Sequence, residues 1–197
     1  MRHSHHREDV TISQDDFENT IAKLSFEQTR SQLYEMGLRM IDSDFEIEAY
    51  ILILATWNFA GFRYVLRKFD LDRFRETIAA VNPIFARLAA HSFESANFDL
   101  LAPDITTIYS QLRPLVGQTG TSKIMHFKNP KLFVMWDTAI RSYYRVPNVG
   151  SSEHYLDFLR LMRATFGNVR WTHKDRSFAK SIDEYNLAIA HPPTADA

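Results

Sequence analysis

Residues 45–65, reading FEIEAYILILATWNFAGFRYV, constrain this chain more than any other segment, because so apolar a run has to be buried whatever its neighbours do. Its length exceeds that of an ordinary strand and favours a helix, although residues 51–54 alone would also suit a strand. A helix at the centre of the core is therefore expected. The other segments agree with an all-α fold. Phe17, Ile21 and Leu24 fall at i, i+4 and i+7 behind the capping candidates Ser13 and Asp15. Further helices are expected over 31–41, broken only by Gly37, and over 71–79, 83–90 and 105–115. Two more are expected over 154–166, capped by Ser151-Ser152-Glu153 and ended by Gly167, and over 182–190.

A chain of 197 residues with 45% hydrophobic content buries one sizeable core. The expected organisation is a single helical domain over 13–190, with disordered tails at 1–12 and 191–197. No run is long and apolar enough to cross a bilayer, and the first nine residues lead into no signal-peptide core, so a cytoplasmic protein without a membrane partner is expected. The absence of cysteine excludes thiolate nucleophiles, disulfides, Cys-ligated zinc and iron–sulfur clusters. His3, His5 and His6 read as part of the tail. His91, His126, His154 and His173 lack ligand spacing, so no metal is expected. Dinucleotide-binding, Walker and zincin motifs are missing too, which leaves no nucleotide cofactor, or any other cofactor, to expect. The net charge of −1 hides an acidic excess over residues 1–104 and a basic excess over 105–197. An acidic scaffold with a basic binding face, and two oppositely charged halves that merely pack together, both fit that split.

The informative stretch is 115–144, LVGQTGTSKIMHFKNPKLFVMWDTAIRSYY. Gly117 and Gly120 bracket a turn, so a hairpin is expected at 115–124, with a second helix opening at Thr121-Ser122-Lys123 and its first amides free to face an anion. The chain then passes Asn129-Pro130 and the apolar Leu132-Phe133-Val134-Met135-Trp136 before presenting Asp137 at the start of another helix. A lone carboxylate directly after such a run is partly desolvated and calls for a specific partner.

This order of helix, glycine hairpin, helix with an early lysine, apolar segment and aspartate resembles the helix-hairpin-helix superfamily of DNA glycosylases, above all its bifunctional oxidised-guanine branch. The resemblance implies an excising enzyme, a DNA N-glycosylase with accompanying lyase activity, whose partner is double-stranded DNA containing a modified base. By position Lys123 matches the nucleophile that attacks the sugar C1′, and Asp137 the carboxylate that supports the cationic transition state. Gly117, Gln118, Thr119, Gly120, Thr121 and Ser122 match the phosphate-binding hairpin. Residues 53–63, ILATWNFAGFR, are similar to the segment that ends a core helix with an inserted asparagine, which makes Asn58 the filler of the space left by a flipped nucleotide. The Gly-Gln-Thr-Gly turn is one residue longer than the usual Gly-X-Gly, and the interval from Lys123 to Asp137 is short. A remodelled pocket and a retained fold put to another use both stay open.

The chemistry explains the residue types. An N-glycosidic bond breaks through an oxocarbenium-like state that a carboxylate in a low-dielectric pocket stabilises far better than water. A lysine amine attacks only after losing a proton, and His126 and Lys128 are the candidates for promoting that loss. The target base must leave the stack, and Trp57, Phe59, Trp136 and Tyr144 are the candidate pocket walls, with Tyr143 and Trp171 close by. Lys128, Lys131, Arg141 and Arg145 form a stripe suited to flanking phosphates. Taken singly, each residue has a duller role: Lys123 as a solvated lysine, Asp137 and Asn58 as helix caps, the aromatics as core. The alternatives are a non-catalytic DNA-binding protein on the same scaffold and a helical protein-interaction domain. The sequence does not name the base.

Overall fold

The computed structural model describes residues 11–23, 28–172 and 176–191, and among them every regular element is a helix. Nine follow in order: α1 (Gln14–Ala22), α2 (Gln28–Ile41), α3 (Glu46–Trp57), α4 (Phe59–Leu66), α5 (Leu71–Leu88), α6 (Phe98–Lys128), α7 (Thr138–Tyr143), α8 (Ser152–Thr165) and α9 (Phe178–Ala190). Helix α6 is the spine: α2, α3, α4, α5 and α8 all pack on it, while α9 joins α1 to α7. The tails expected at 1–12 and 191–197 fall mostly outside the described residues, as do His3, His5, His6, Leu24 and His173. Of the tail residues that are described, Ile12 donates its amide to Thr165 O at 3.0 Å and packs against the core, and His191 makes a contact in the cleft described below. None of the described helices is long and apolar enough to cross a membrane.

Caps set most of the boundaries. Ser13, Asp70, Asn97, Asp137, Ser151 and Ser177 each accept an amide of the following first turn, and Ser151 completes a capping box with His154. The expected central helix over 45–65 is instead two helices, broken at Asn58 (φ −134°, ψ 29°). Asparagine offers its own backbone an alternative to the helical ladder. Here its side chain folds onto the next turn, where a Cβ on Gly61 would lie 2.7 Å from Asn58 Oδ1. The helices expected over 71–79 and 83–90 are the single α5. Pro83 lacks one amide, but Phe74, Ile78, Val81, Phe85 and Leu88 form a continuous buried stripe across it.

The hairpin expected at 115–124 is tighter than a four-residue turn. Only Gly117 leaves helical geometry (φ 72°, ψ 177°); Gly120 is helical and buried, and a Cβ there would lie 3.0 Å from Leu54 Cδ2. Gly120 thus lets α6 approach α3. Nothing lies within 4 Å of a Cβ built on Gly117, so its conformation, not crowding, demands glycine. Gly117→Ala is expected to destabilise the fold by about 1–3 kcal/mol, wholly through the backbone, which the urea unfolding midpoint at an unchanged m-value will report.

Beyond α6, residues 129–136 run back along its second arm without regular structure. Leu132, Phe133, Val134 and Trp136 are fully buried. Side chains satisfy their backbone: His126 Nδ1–H donates to Phe133 O (2.6 Å) and Tyr155 OH to Val134 O (2.9 Å). Ser122 Oγ donates to Trp136 O (3.1 Å) and accepts from Trp136 N (3.3 Å). This lacing fixes where the next residue, Asp137, emerges relative to Lys123.

Candidate functional site

A cleft of about 1030 Å³ opens where three breaks in helical structure meet: the α3–α4 junction, the Gly117 kink and the start of α7. Trp57, Asn58 and Phe59 line it from the first, Gly117, Gln118, Thr119 and Lys123 from the second, and Asp137 and Arg141 from the third. Arg113 and His191 complete its polar wall. Residues far apart in sequence therefore converge, Lys123 and Asp137 among them. Arg113, Lys123 and Arg141 outnumber the single carboxylate, and all three come from the basic half of the chain. Ion pairs between the halves, Lys128–Glu46 (2.6 Å) and Arg160–Asp99 (2.5 Å), account for the complementary packing too.

Lys123 Nζ donates to the backbone oxygen of Trp57, the last residue of α3. Asp137 caps α7: Oδ1 accepts from Ile140 N at 2.8 Å, and Oδ2 lies 2.8 Å from His191 Nε2 at the end of α9. Arg141 is 8% exposed; its Nε donates to Asp137 O (3.3 Å), its Nη2 to Thr138 Oγ1 (3.2 Å), and its guanidinium lies 5.6 Å over the Trp136 ring. Burial holds its proton affinity below the usual guanidinium range. Arg113 Nη2 and Gln118 Nε2 both bind Val149 O, at 2.7 and 2.9 Å, and Gln118 also binds Asn148 O. They tie the loop before α8 to the kink. A Cβ on Gly150 (φ 48°) would collide with the end of the Gln118 side chain, so a larger residue there would displace the Gln118 amide from Asn148 O and Val149 O.

Several sequence expectations are corrected by this geometry. Trp136 is fully buried, its ring edge-on to Tyr109 and Tyr155 and its Nε1–H on Gln118 O (3.2 Å), so it is core and no pocket wall. Tyr144 donates to Asn186 Oδ1 (2.7 Å) and packs on Phe158, away from the cleft lining. Thr121 and Ser122 are buried and spend their hydroxyls on Gly117 O and on Trp136. Gly120 faces α3, and Lys128 pairs with Glu46. Lys131 is exposed but does not line the cleft. Gly117, Gln118, Thr119, Asn58, Arg141, Trp57 and Phe59 do line it, Phe59 with 64% of its surface exposed.

His126 cannot serve as a cationic neighbour of Lys123. It is fully buried, with Tyr34 OH 2.8 Å from Nε2 and Phe133 O accepting from Nδ1, and burial lowers its pKa to about 4. The ring is neutral near pH 7. Because the unfolded chain binds this proton at the ordinary value near 6.5 and the folded chain only near 4, stability falls as pH drops through that interval. The expected loss is about 3 kcal/mol. Urea unfolding of His126→Gln between pH 7 and 4 should show a markedly flatter decline than the parent; an identical decline excludes His126 as its source.

The sequence reading missed Arg113 and His191. Arg113 sits in the last turn before the kink and was within reach of a helical-face argument; His191 meets Asp137 only because α9 packs on α7. The chain matches no family model, no curated protein and no solved structure.

Proposed function

We propose that the chain is a DNA N-glycosylase that excises a damaged or otherwise modified base, with Lys123 able to form a Schiff base and cleave the strand. The observation that supports this most is the convergence of Lys123, Asp137, Asn58 and the Gly117 kink, from three separate segments, on one cationic cleft. Its volume, about 1030 Å³, accommodates a flipped nucleotide. Trp57 and Phe59 offer aromatic surface to a base, and Arg113 and Arg141 offer charge to its phosphates. At Asp137 the carboxylate stands at the rim of the buried 132–136 segment, where a developing positive charge on the sugar is weakly screened.

A second reading, a non-catalytic DNA-binding domain, has one observation in its favour: both carboxylate oxygens of Asp137 already hold partners, as a purely structural cap would. The deciding experiment incubates the protein with duplexes carrying oxidised, alkylated, deaminated and hypermodified bases, with and without borohydride. Base release supports the enzyme; salt-dependent binding without release supports the second reading; no binding removes both. Binding itself yields a further expectation. Arg113→Gln should weaken binding to all duplexes alike and reduce the slope of log affinity against log salt by about 1, because it removes one phosphate contact. An unchanged slope would place the DNA backbone elsewhere.

A further inference from the structure

We propose that His191 is the proton shuttle of this cleft, held by Asp137 and working between Lys123 and the departing base. The inference rests on the glycosylase reading and adds a residue and a step to it.

Lys123 is anchored as a donor on Trp57 O, so before it attacks it needs a group to receive its proton. The neighbours that sequence suggested do not supply one: His126 is sealed in the core with both ring nitrogens engaged, and Lys128 is paired with Glu46. Among the residues lining the cleft the ionisable groups are Arg113, Lys123, Asp137, Arg141 and His191. Both guanidinium groups are donors only and accept nothing. The Asp137 carboxylate has Oδ1 bound to the α7 amide and Oδ2 facing the imidazole. That leaves His191, whose ring is half exposed at the cleft and whose Nε2 sits 2.8 Å from Asp137 Oδ2. A carboxylate accepts only, so the neutral ring places its hydrogen on Nε2 and keeps the Nδ1 lone pair free to take a proton. This is the arrangement in which a carboxylate orients an imidazole base and stabilises it once charged.

The step balances. Nδ1 takes one proton from the Lys123 ammonium; the freed amine pair forms the N–C1′ bond; the C1′–base bond breaks with its electron pair going to the base. The imidazolium then returns the proton to the base. Base, neutral imidazole and a secondary ammonium linked to C1′ remain, with the total charge unchanged.

Two measurements test this. Without any DNA, nitrogen NMR of the histidines at pH 8 should show His191 as the Nε2–H tautomer, and Asp137→Asn should abolish that preference; a tautomer ratio unaffected by Asp137→Asn overturns the pairing whatever the enzyme does. With the substrate identified by base release, His191→Ala and His191→Gln should both slow release and borohydride trapping by about 10²–10⁴-fold, and added imidazole should restore part of the His191→Ala loss. The glutamine keeps a donor for Asp137 but carries no proton between atoms. Parental rates in His191→Gln would reduce His191 to positioning and overturn the shuttle. Wild-type protein that releases no base overturns the glycosylase reading and the step with it, whereas the NMR result fails only if the pair itself is wrong.

Discussion

Asp137→Asn is expected to lower base release by about 10²–10³-fold while leaving the protein folded. The two effects separate because Asp137 holds two positions at once. As N-cap of α7 its Oδ1 accepts from Ile140 N, and asparagine is as good a cap as aspartate, so this hydrogen bond survives. What disappears is the negative charge. Its loss at a helix N-terminus removes about 0.3–1 kcal/mol of favourable interaction with the helix dipole, small against the stability of a domain. For a sugar acquiring positive charge in the cleft, the same loss removes the one anion among the lining residues and leaves Arg113, Lys123 and Arg141 uncompensated. Circular dichroism and urea unfolding close to the parent, together with release reduced by two orders of magnitude or more, would assign the carboxylate to chemistry. Release within a few-fold of the parent would return Asp137 to the role of a cap.

The helical class was legible because it depends on local signals that the structure reproduces: Ser13, Ser151 and Asp137 as caps, and apolar residues at helical spacing in α1, α2, α8 and α9. Errors arose where local and tertiary signals compete. Pro83 reads as a boundary, yet it lies inside α5, because buried faces on either side outweigh one missing hydrogen bond. Asn58 ran the other way: an apolar run long enough for one helix is divided by a single side chain that folds against Gly61.

The site was legible in its members more than in their surroundings. Lys123 and Asp137 were singled out by the resemblance to helix-hairpin-helix glycosylases, and they do share a cleft. Burial decides most of the rest, and sequence gives burial poorly where polar residues are concerned. Thr121 and Ser122 look like phosphate ligands on a helix start but are fully buried, Ser122 against the Trp136 backbone, and Trp136 looks like a base platform but is fully buried too. Lys128 follows Lys123 by five residues, which on a helix turns it well away from the cleft and towards Glu46. His191 carried no local signal at all.

Lys123→Arg is expected to eliminate the borohydride-trapped adduct while preserving DNA affinity. The guanidinium keeps the positive charge and can still donate to Trp57 O at the end of α3, where carbonyls favour a cation, so neither the α3–α6 contact nor the electrostatic attraction to phosphate is removed. It never offers a free electron pair at neutral pH and so forms no bond to C1′. The variant therefore separates charge from nucleophilicity, which alanine does not. Residual base release in Lys123→Arg would measure how well water replaces the amine, with Asp137 still stabilising the transition state. An adduct that persists would mean that another amine is trapped, and the lysine would then be a phosphate or structural contact. Loss of adduct together with loss of binding would mean that arginine does not fit between Trp57 and the kink, and Lys123→Gln, shorter and neutral, would then be the comparison, with its binding deficit recoverable at low salt if only charge is missing.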